Sequence, residues 1–209
     1  MDFRNFIHTL DQKLREPLPG EKAQLKMAPA TRVKFPEFLR DGSRSREAAV
    51  LILLFPVSNK ARIVFIKRAT YDGVHSGQIS LPGGKKEPSD PSLTETALRE
   101  TEEEIGICRD KISVLGTLSK LFIPPSNFEV LPVVGFTDAE PEFTPRKEEV
   151  DMIITESLDK FYSGELHRVN YVKTRDVQRM NVRCFAVRDH IIWGATAMIL
   201  SEFLEIIRS

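Results

Sequence analysis

Hydrophobic residues along this chain change period several times, and each change marks an element. Phe3, Phe6, Ile7, Leu10 and Leu14 recur at helical spacing, which predicts an amphipathic helix over 2–16. Proline, glycine and lysine break that pattern from Pro17 to Ser45, with Pro19-Gly20 and Asp41-Gly42 as turn signals, so the span reads as a coil-rich approach to the core. Two apolar runs follow, AAVLILLFP at 48–56 and ARIVFIKR at 61–68. They flank Ser58-Asn59-Lys60, an arrangement that predicts a β-hairpin.

A loop over 69–80 leads to Leu81-Pro82-Gly83-Gly84. Asp90 before Pro91 reads as a helix start, an N-cap side chain followed by proline in the first turn, and Gly106 reads as the stop. This predicts a helix over 91–105. ISVLGTLSKLF (112–122) and FEVLPVVGF (128–136) read as strands around Pro124-Pro125. Residues 150–162 read as a strand turning into a short helix, and HRVNYV with VRCFAV as a late hairpin. The tail GATAMILSEFLEIIR is a helix with Ala195, Ile199, Phe203 and Ile206 on one stripe. Strands outnumber helices and helices bracket them, so the class is α/β or α+β with a mixed sheet. Residues 1–45 form a helical and coil-rich extension, and 46–209 one globular domain.

Composition narrows the functional classes. The chain has 209 residues, 41% hydrophobic and 29% charged, which suits a single domain with a real core. Lysine plus arginine equals aspartate plus glutamate at 30 each, so no global field directs the protein to nucleic acid or an anionic membrane. The N-terminal stretch lacks a secretory pattern, and no apolar run approaches the ~18 residues of a membrane span. Two cysteines, Cys108 and Cys184, are too few for a disulfide framework or a cysteine zinc cage. The expectation is a cytoplasmic protein whose attraction for a charged ligand is local.

That local charge sits on the helix over 91–105. Leu93, Ala97, Leu98, Thr101 and Ile105 fall in one arc and form its buried face. Glu100 and Glu104 lie one turn apart beside the arc, with Glu103 just beyond Glu100, while Glu95 and Glu102 point to solvent. Like charges at four-residue spacing oppose the fold by a few tenths of a kcal/mol. Each acid near the helix C-terminus loses a further ~0.3–1 kcal/mol against the helix dipole. Arg99 offers compensation through Glu95 and Glu103. A hard divalent cation resolves the conflict, because Mg²⁺ or Mn²⁺ prefers carboxylate oxygens and shares its remaining positions with water and phosphate.

These residues carry a resemblance. Gly84, Asp90 and the run Arg99-Glu100-Thr101-Glu102-Glu103-Glu104-Ile105-Gly106-Ile107 resemble the Nudix box, whose core is RE-U-x-EE-x-G-U with U aliphatic. Thr101 replaces the aliphatic residue. The first acid is Asp90 rather than glutamate and lies one residue farther from Arg99. The branch it most resembles is that of the coenzyme A pyrophosphatases, through Thr96 to Glu100 (TALRE), His75-Ser76-Gly77-Gln78 and the following Pro-Gly-Gly. Ser126-Asn127-Phe128, Pro132 to Gly135, Glu149-Val150 and Ile192 to Thr196 are also similar, so the likeness spans about residues 46 to 207. Gly73 stands where that branch carries arginine, and Leu81 where it carries phenylalanine.

The resemblance implies an α/β/α sandwich with a mixed sheet between helices, and metal-dependent hydrolysis of a pyrophosphate bond in a nucleoside diphosphate derivative. It implies Glu100, Glu103 and Glu104 as ligands to Mg²⁺ or Mn²⁺, with Arg99 anchoring the helix. It makes Glu149 a candidate for a further ligand or the general base. His75, Gly77, Gln78, Gly83, Gly84 and Lys85 become candidates for substrate contact. The expected partner is a small nucleotide rather than nucleic acid or membrane, and a homodimer is compatible. Coenzyme A is the leading substrate. ADP-ribose or another nucleotide sugar, and a non-catalytic nucleotide-binding module, stay open beside it.

Overall fold

In a computed structural model, residues 2–30, 32, 45–70, 76–172 and 180–209 are described. Helix α1 (Phe3–Lys13) starts at Asp2, which accepts the Asn5 amide at 3.1 Å, and buries Phe3, Ile7 and Leu10. The span expected as coil contains a short helix α2 (Glu21–Gln24) and a 3-10 turn at Leu25–Met27.

The expected hairpin is β1 (Arg46–Val57) with β2 (Lys60–Arg68), whose register closes at Val57 opposite Lys60. Ser58 and Asn59 both adopt positive φ, 49° and 62°, the backbone that a two-residue turn between twisted strands requires. Strand alternation then divides the core. Ala49, Leu51, Leu53 and Phe55 of β1, with Val64 and Ile66 of β2, build one cluster. Ile52 and Leu54, with Ile63 and Phe65, build the other. Both faces of this hairpin are therefore covered, as its near-continuous apolar runs require.

The remaining strands of the main sheet are β3 (Ile79–Ser80), β4 (Gly83–Lys85), β5 (Ser113–Thr117), β6 (Leu121–Ile123), β7 (Phe128–Phe136) and β8 (Val150–Ser157). The order is β3-β2-β1-β7-β5, with β4 on β1, β6 on β7 and β8 on β2. The pair β1–β7 is parallel and the others are antiparallel, so the sheet is mixed. β4 was not expected, because Pro-Gly-Gly reads as a turn from sequence. A single strand is also not what residues 112–122 form; they divide into β5 and β6.

Helix α3 (Leu93–Ile105) covers one face of the sheet. The other face carries α1 and the C-terminal helix α5 (Gly194–Arg208), with the short helix α4 (Leu158–Tyr162) beside them. The stripe Ile199, Phe203 and Ile206 is buried as the periodicity predicts. The late hairpin is β9 (His167–Val172) with β10 (Met180–Val187), extended by β11 (His190–Ile192) into a separate three-stranded sheet. The result is the α/β/α arrangement with a mixed sheet. Among the described residues, no helix is long and apolar enough to cross a membrane.

Candidate functional site

Helix α3 begins at Ser92, whose Oγ accepts the Glu95 amide at 3.2 Å; Asp90 is not the cap. A charged fork takes the Asp90 carboxylate instead. Arg99 donates to it twice, from Nε at 2.9 Å and Nη2 at 3.0 Å, while the Thr96 hydroxyl and the Glu87 amide add bonds of 2.9 and 2.8 Å. These bonds, led by those from Arg99, hold the Asp90 carboxyl well below the usual carboxylate range. Arg99 also reaches the Lys85 carbonyl at 3.2 Å, Glu100 at 3.0 Å and Glu103 at 3.3 Å. It therefore ties the helix to β4. Its partners are Asp90, Glu100 and Glu103 rather than Glu95.

The far end of α3 is closed by Gly106, in the left-handed region at φ 74°. The loop between β7 and β8 then donates to the orphan carbonyls of the helix. The Thr144 amide bonds the Ile105 carbonyl at 2.9 Å, and the Arg146 amide bonds that of Glu104 at 3.0 Å. This anchoring brings the loop that carries Glu149 to the acidic end. Glu149 pairs with Arg146 at 3.2 Å, and its charge raises the proton affinity of both Glu100 and Glu104.

The three box carboxylates occupy different environments. Glu103 is exposed and paired with Arg99. Glu100 is half-buried, and burial raises its pKa against the pull of Arg99. Glu104 is 1% exposed. It accepts the Gly83 amide at 2.8 Å, and Arg68 Nη1 lies 3.5 Å away, too far for a strong bond. Burial pushes the Glu104 carboxyl up to about 7, with Glu100 and Glu149 adding to the rise.

The glycines of β4 shape the space in front of these acids. A Cβ on Gly84 would fall 2.5 Å from the Glu100 carboxyl carbon, so only glycine leaves that carboxylate where it is. Gly83 has φ 145° and a Cβ there would meet the Ala49 carbonyl at 2.3 Å, so it is required by the β1–β4 pairing itself. Lys85 is exposed at the end of β4. Gly77 adopts φ 67°, and the Gln78 carbonyl accepts the Arg68 amide at 3.0 Å, which joins this loop to β2. His75 and Gly73 lie outside the described residues.

Arg68 was missed at the sequence level, although a signal existed. It continues the parity of Val64 and Ile66, which face α3, so a cation at that step aims at the acidic helix. Its Nη2 also holds the Gly83 carbonyl at 2.9 Å.

A family model of the NUDIX domain matches residues 45–177. This chain belongs to the Nudix family. Among curated Nudix relatives, the uncharacterized Nudix hydrolase NudL of Pectobacterium atrosepticum is 32% identical over 171 residues, covering 81% of this chain and 87% of that protein. A NudL of Yersinia pestis is 35% identical over 169 residues, covering 77% and 79%. A NUDIX hydrolase from Alicyclobacillus acidocaldarius superposes with TM-score 0.50 at 18% identity, over 59% of this chain and 83% of its own, which shows the shared fold.

Nudix hydrolases act on small nucleotide substrates with divalent metal ions, and the donor set here suits such an ion. Glu100, Glu103, Glu104 and Glu149 supply hard oxygen donors only, and Glu104 keeps lone pairs that one amide does not use. As placed, no three of the carboxylates among the described residues form an ion-holding cluster, since Arg99 engages Glu100 and Glu103. An ion held by all three box acids would need those two side chains to turn from Arg99.

Proposed function

We propose that this Nudix hydrolase cleaves the pyrophosphate bond of coenzyme A or acyl-CoA, giving 3′,5′-ADP and 4′-phosphopantetheine, with Mg²⁺ or Mn²⁺ held by Glu100, Glu103 and Glu104. The observation that carries the metal site is Glu104, a buried carboxylate with one firm donor and a raised pKa. A buried acid so poorly satisfied opposes the fold unless a cation or proton completes it.

The bound ion supplies charge neutralisation for the diphosphate and activation of a water molecule. The protein's residues do the rest. Gly84 lets the chain approach without displacing Glu100. Arg99, fixed on Asp90, sets the pitch of the helix edge. Glu149 takes the proton of the attacking water as the new phosphorus–oxygen bond forms. The bond between the leaving phosphate oxygen and the attacked phosphorus breaks, and the electron pair departs with that phosphate. No protein nucleophile enters.

Coenzyme A is supported by the likeness of His75 to Gln78 and of the TALRE run. Leu81 bears on this choice, because it is 1% exposed and packed in the core. Its departure from phenylalanine changes core volume rather than a ligand contact. Gly73 keeps ADP-ribose as the second reading. Purified protein with Mg²⁺ and coenzyme A, ADP-ribose or NADH decides between them. Release of 3′,5′-ADP is the expected result, and turnover of ADP-ribose alone would reject coenzyme A.

A further inference from the structure

The β9–β10 hairpin and the C-terminal half of α5 do not close on each other. Between them lies a cavity of about 790 Å³, with Met27, Val169, Phe185 and Leu204 in its apolar wall. None of its lining residues belongs to the carboxylate site, and α5 packs on the opposite face of the central sheet from α3. On this face of the hairpin Phe185 is 1% exposed and packs into the core, whereas Val169 beside it stays 66% exposed above the cavity.

Charge in the cavity is unbalanced. Lys26 pairs with Glu205, the single carboxylate in the wall. Three guanidiniums remain, and among the described residues none has a carboxylate partner. Arg183 Nη1 donates to the Lys26 carbonyl at 2.9 Å. Arg168 Nη1 donates to the Glu165 and His167 carbonyls at 2.8 and 2.7 Å. Arg208 Nη2 donates to the Phe161 and Tyr162 carbonyls at 3.2 and 3.1 Å. Carbonyl bonds orient a guanidinium without neutralising it, and they leave its other N–H groups to a ligand. Arg208 also serves as a cap at the end of α4, so Arg183, which shares a face of the hairpin with Val169 and Phe185, is the most telling of the three. In a chain of zero net charge, three guanidiniums around one hollow, with no carboxylate partner among the described residues, make a local anion trap.

We propose that this cavity binds a phosphate-bearing small molecule of nucleotide size, at a site separate from the hydrolytic one. Its volume falls in the ~300–1,000 Å³ range of small-molecule sites. The arginine forks match phosphate oxygens, and the wall of Met27, Phe185 and Leu204 accepts an apolar or aromatic moiety. The inference goes beyond the hydrolase reading and does not depend on it.

Calorimetric titration with AMP and with inorganic phosphate in EDTA, where metal-dependent binding is suppressed, tests the site. AMP is expected to bind one per chain. Arg183→Gln is expected to weaken it at least 10-fold, Arg183→Lys to recover part of the loss, and Glu104→Gln to leave it intact. Arg183 is exposed and has one side-chain bond among the described residues, so Arg183→Gln should keep the melting temperature and the hydrolytic rate. Equal affinity in Arg183→Gln, loss of binding in Glu104→Gln, or no heat at millimolar AMP would overturn the proposal. So would binding to phosphatidylglycerol vesicles without binding to AMP, which would point to a lipid headgroup.

Discussion

Two glutamates, Glu104 and Glu202, are buried on helices that pack against opposite faces of the same sheet, at 1% and 0% exposure. Glu202 on α5 is surrounded by donors: the amides of Gly20 and Ser119, each at 3.2 Å, and Gln24 Nε2 at 2.8 Å. It clamps the segment around α2 to the body of the protein. Glu104 on α3 has the Gly83 amide and a distant guanidinium. Burial alone does not separate a structural acid from a functional one. What differs between these two is the number of donors already aimed at the carboxylate.

Exchanging the two acids for glutamine should break the comparison in opposite directions. Glu104→Gln is expected to lower kcat by roughly 10²–10³-fold, the scale for removing one preorganised charge-stabilising group. Its fold should not suffer. Burial raises the Glu104 pKa from 4.5 to about 7, so the ionised form opposes folding increasingly as pH rises through that window. In EDTA above that window the variant should therefore melt no lower than the wild type. Glu202→Gln takes a charged acceptor from three donors, at ~1.5–3 kcal/mol for a bond to a charged group. A loss of about 3 kcal/mol would lower the melting temperature by roughly 6–12 °C, while kcat of the folded enzyme stays near wild type. Melting curves and initial rates on both proteins check this. A stable Glu202→Gln beside an unfolded Glu104→Gln would reverse the assignment.

The β4 glycines sharpen the contrast at the next level of effect. Gly84→Ala places a methyl group against the movable end of Glu100, so the side chain gives way. Activity should fall about 10–100-fold, the range for losing ligand orientation, with little change in melting. Gly83→Ala meets the Ala49 carbonyl, which cannot move without opening the β1–β4 pairing. It should destabilise by a few kcal/mol, about 1–3 from backbone strain alone. Rates measured per folded molecule, alongside circular dichroism melts, separate the two.

Much of this contrast is legible in sequence where the signal is local. Ser58-Asn59 between apolar runs announces the hairpin, Gly106 announces the end of α3, and the i,i+4 acids announce an unusual charge load. Tertiary partners are not legible in that way. Asp90 has the chemistry of an N-cap, but Arg99 nine residues later claims it and Ser92 caps the helix instead. Glu202 reads as one polar residue in an apolar tail, and nothing local says that Gly20, Gln24 and Ser119 converge on it. The strand β4 hides because its pairing with β1 is made by glycines, which carry no side-chain pattern.

The smallest expected effect concerns Asp90, which supports the site without joining it. Asp90 is buried and bonded by Arg99, Thr96 and the Glu87 amide, and its folded-state pKa lies below the ordinary 3.8. A depressed carboxylate pKa contributes stability that is present above the unfolded value and lost as pH falls below it. The wild type should therefore lose stability steeply below about pH 4. Asp90→Asn should be less stable near neutrality, yet show a flatter acid limb, because it has no such charge to titrate. Arg99 keeps the Lys85 carbonyl in the variant, so hydrolysis should fall only about tenfold, at the low end for a residue that orients ligands indirectly. Urea melts at pH 3 to 7 on both proteins measure the slope. Parallel acid limbs would mean that Arg99 takes its position from Lys85 and the glutamates, and that Asp90 contributes no more than a cap would.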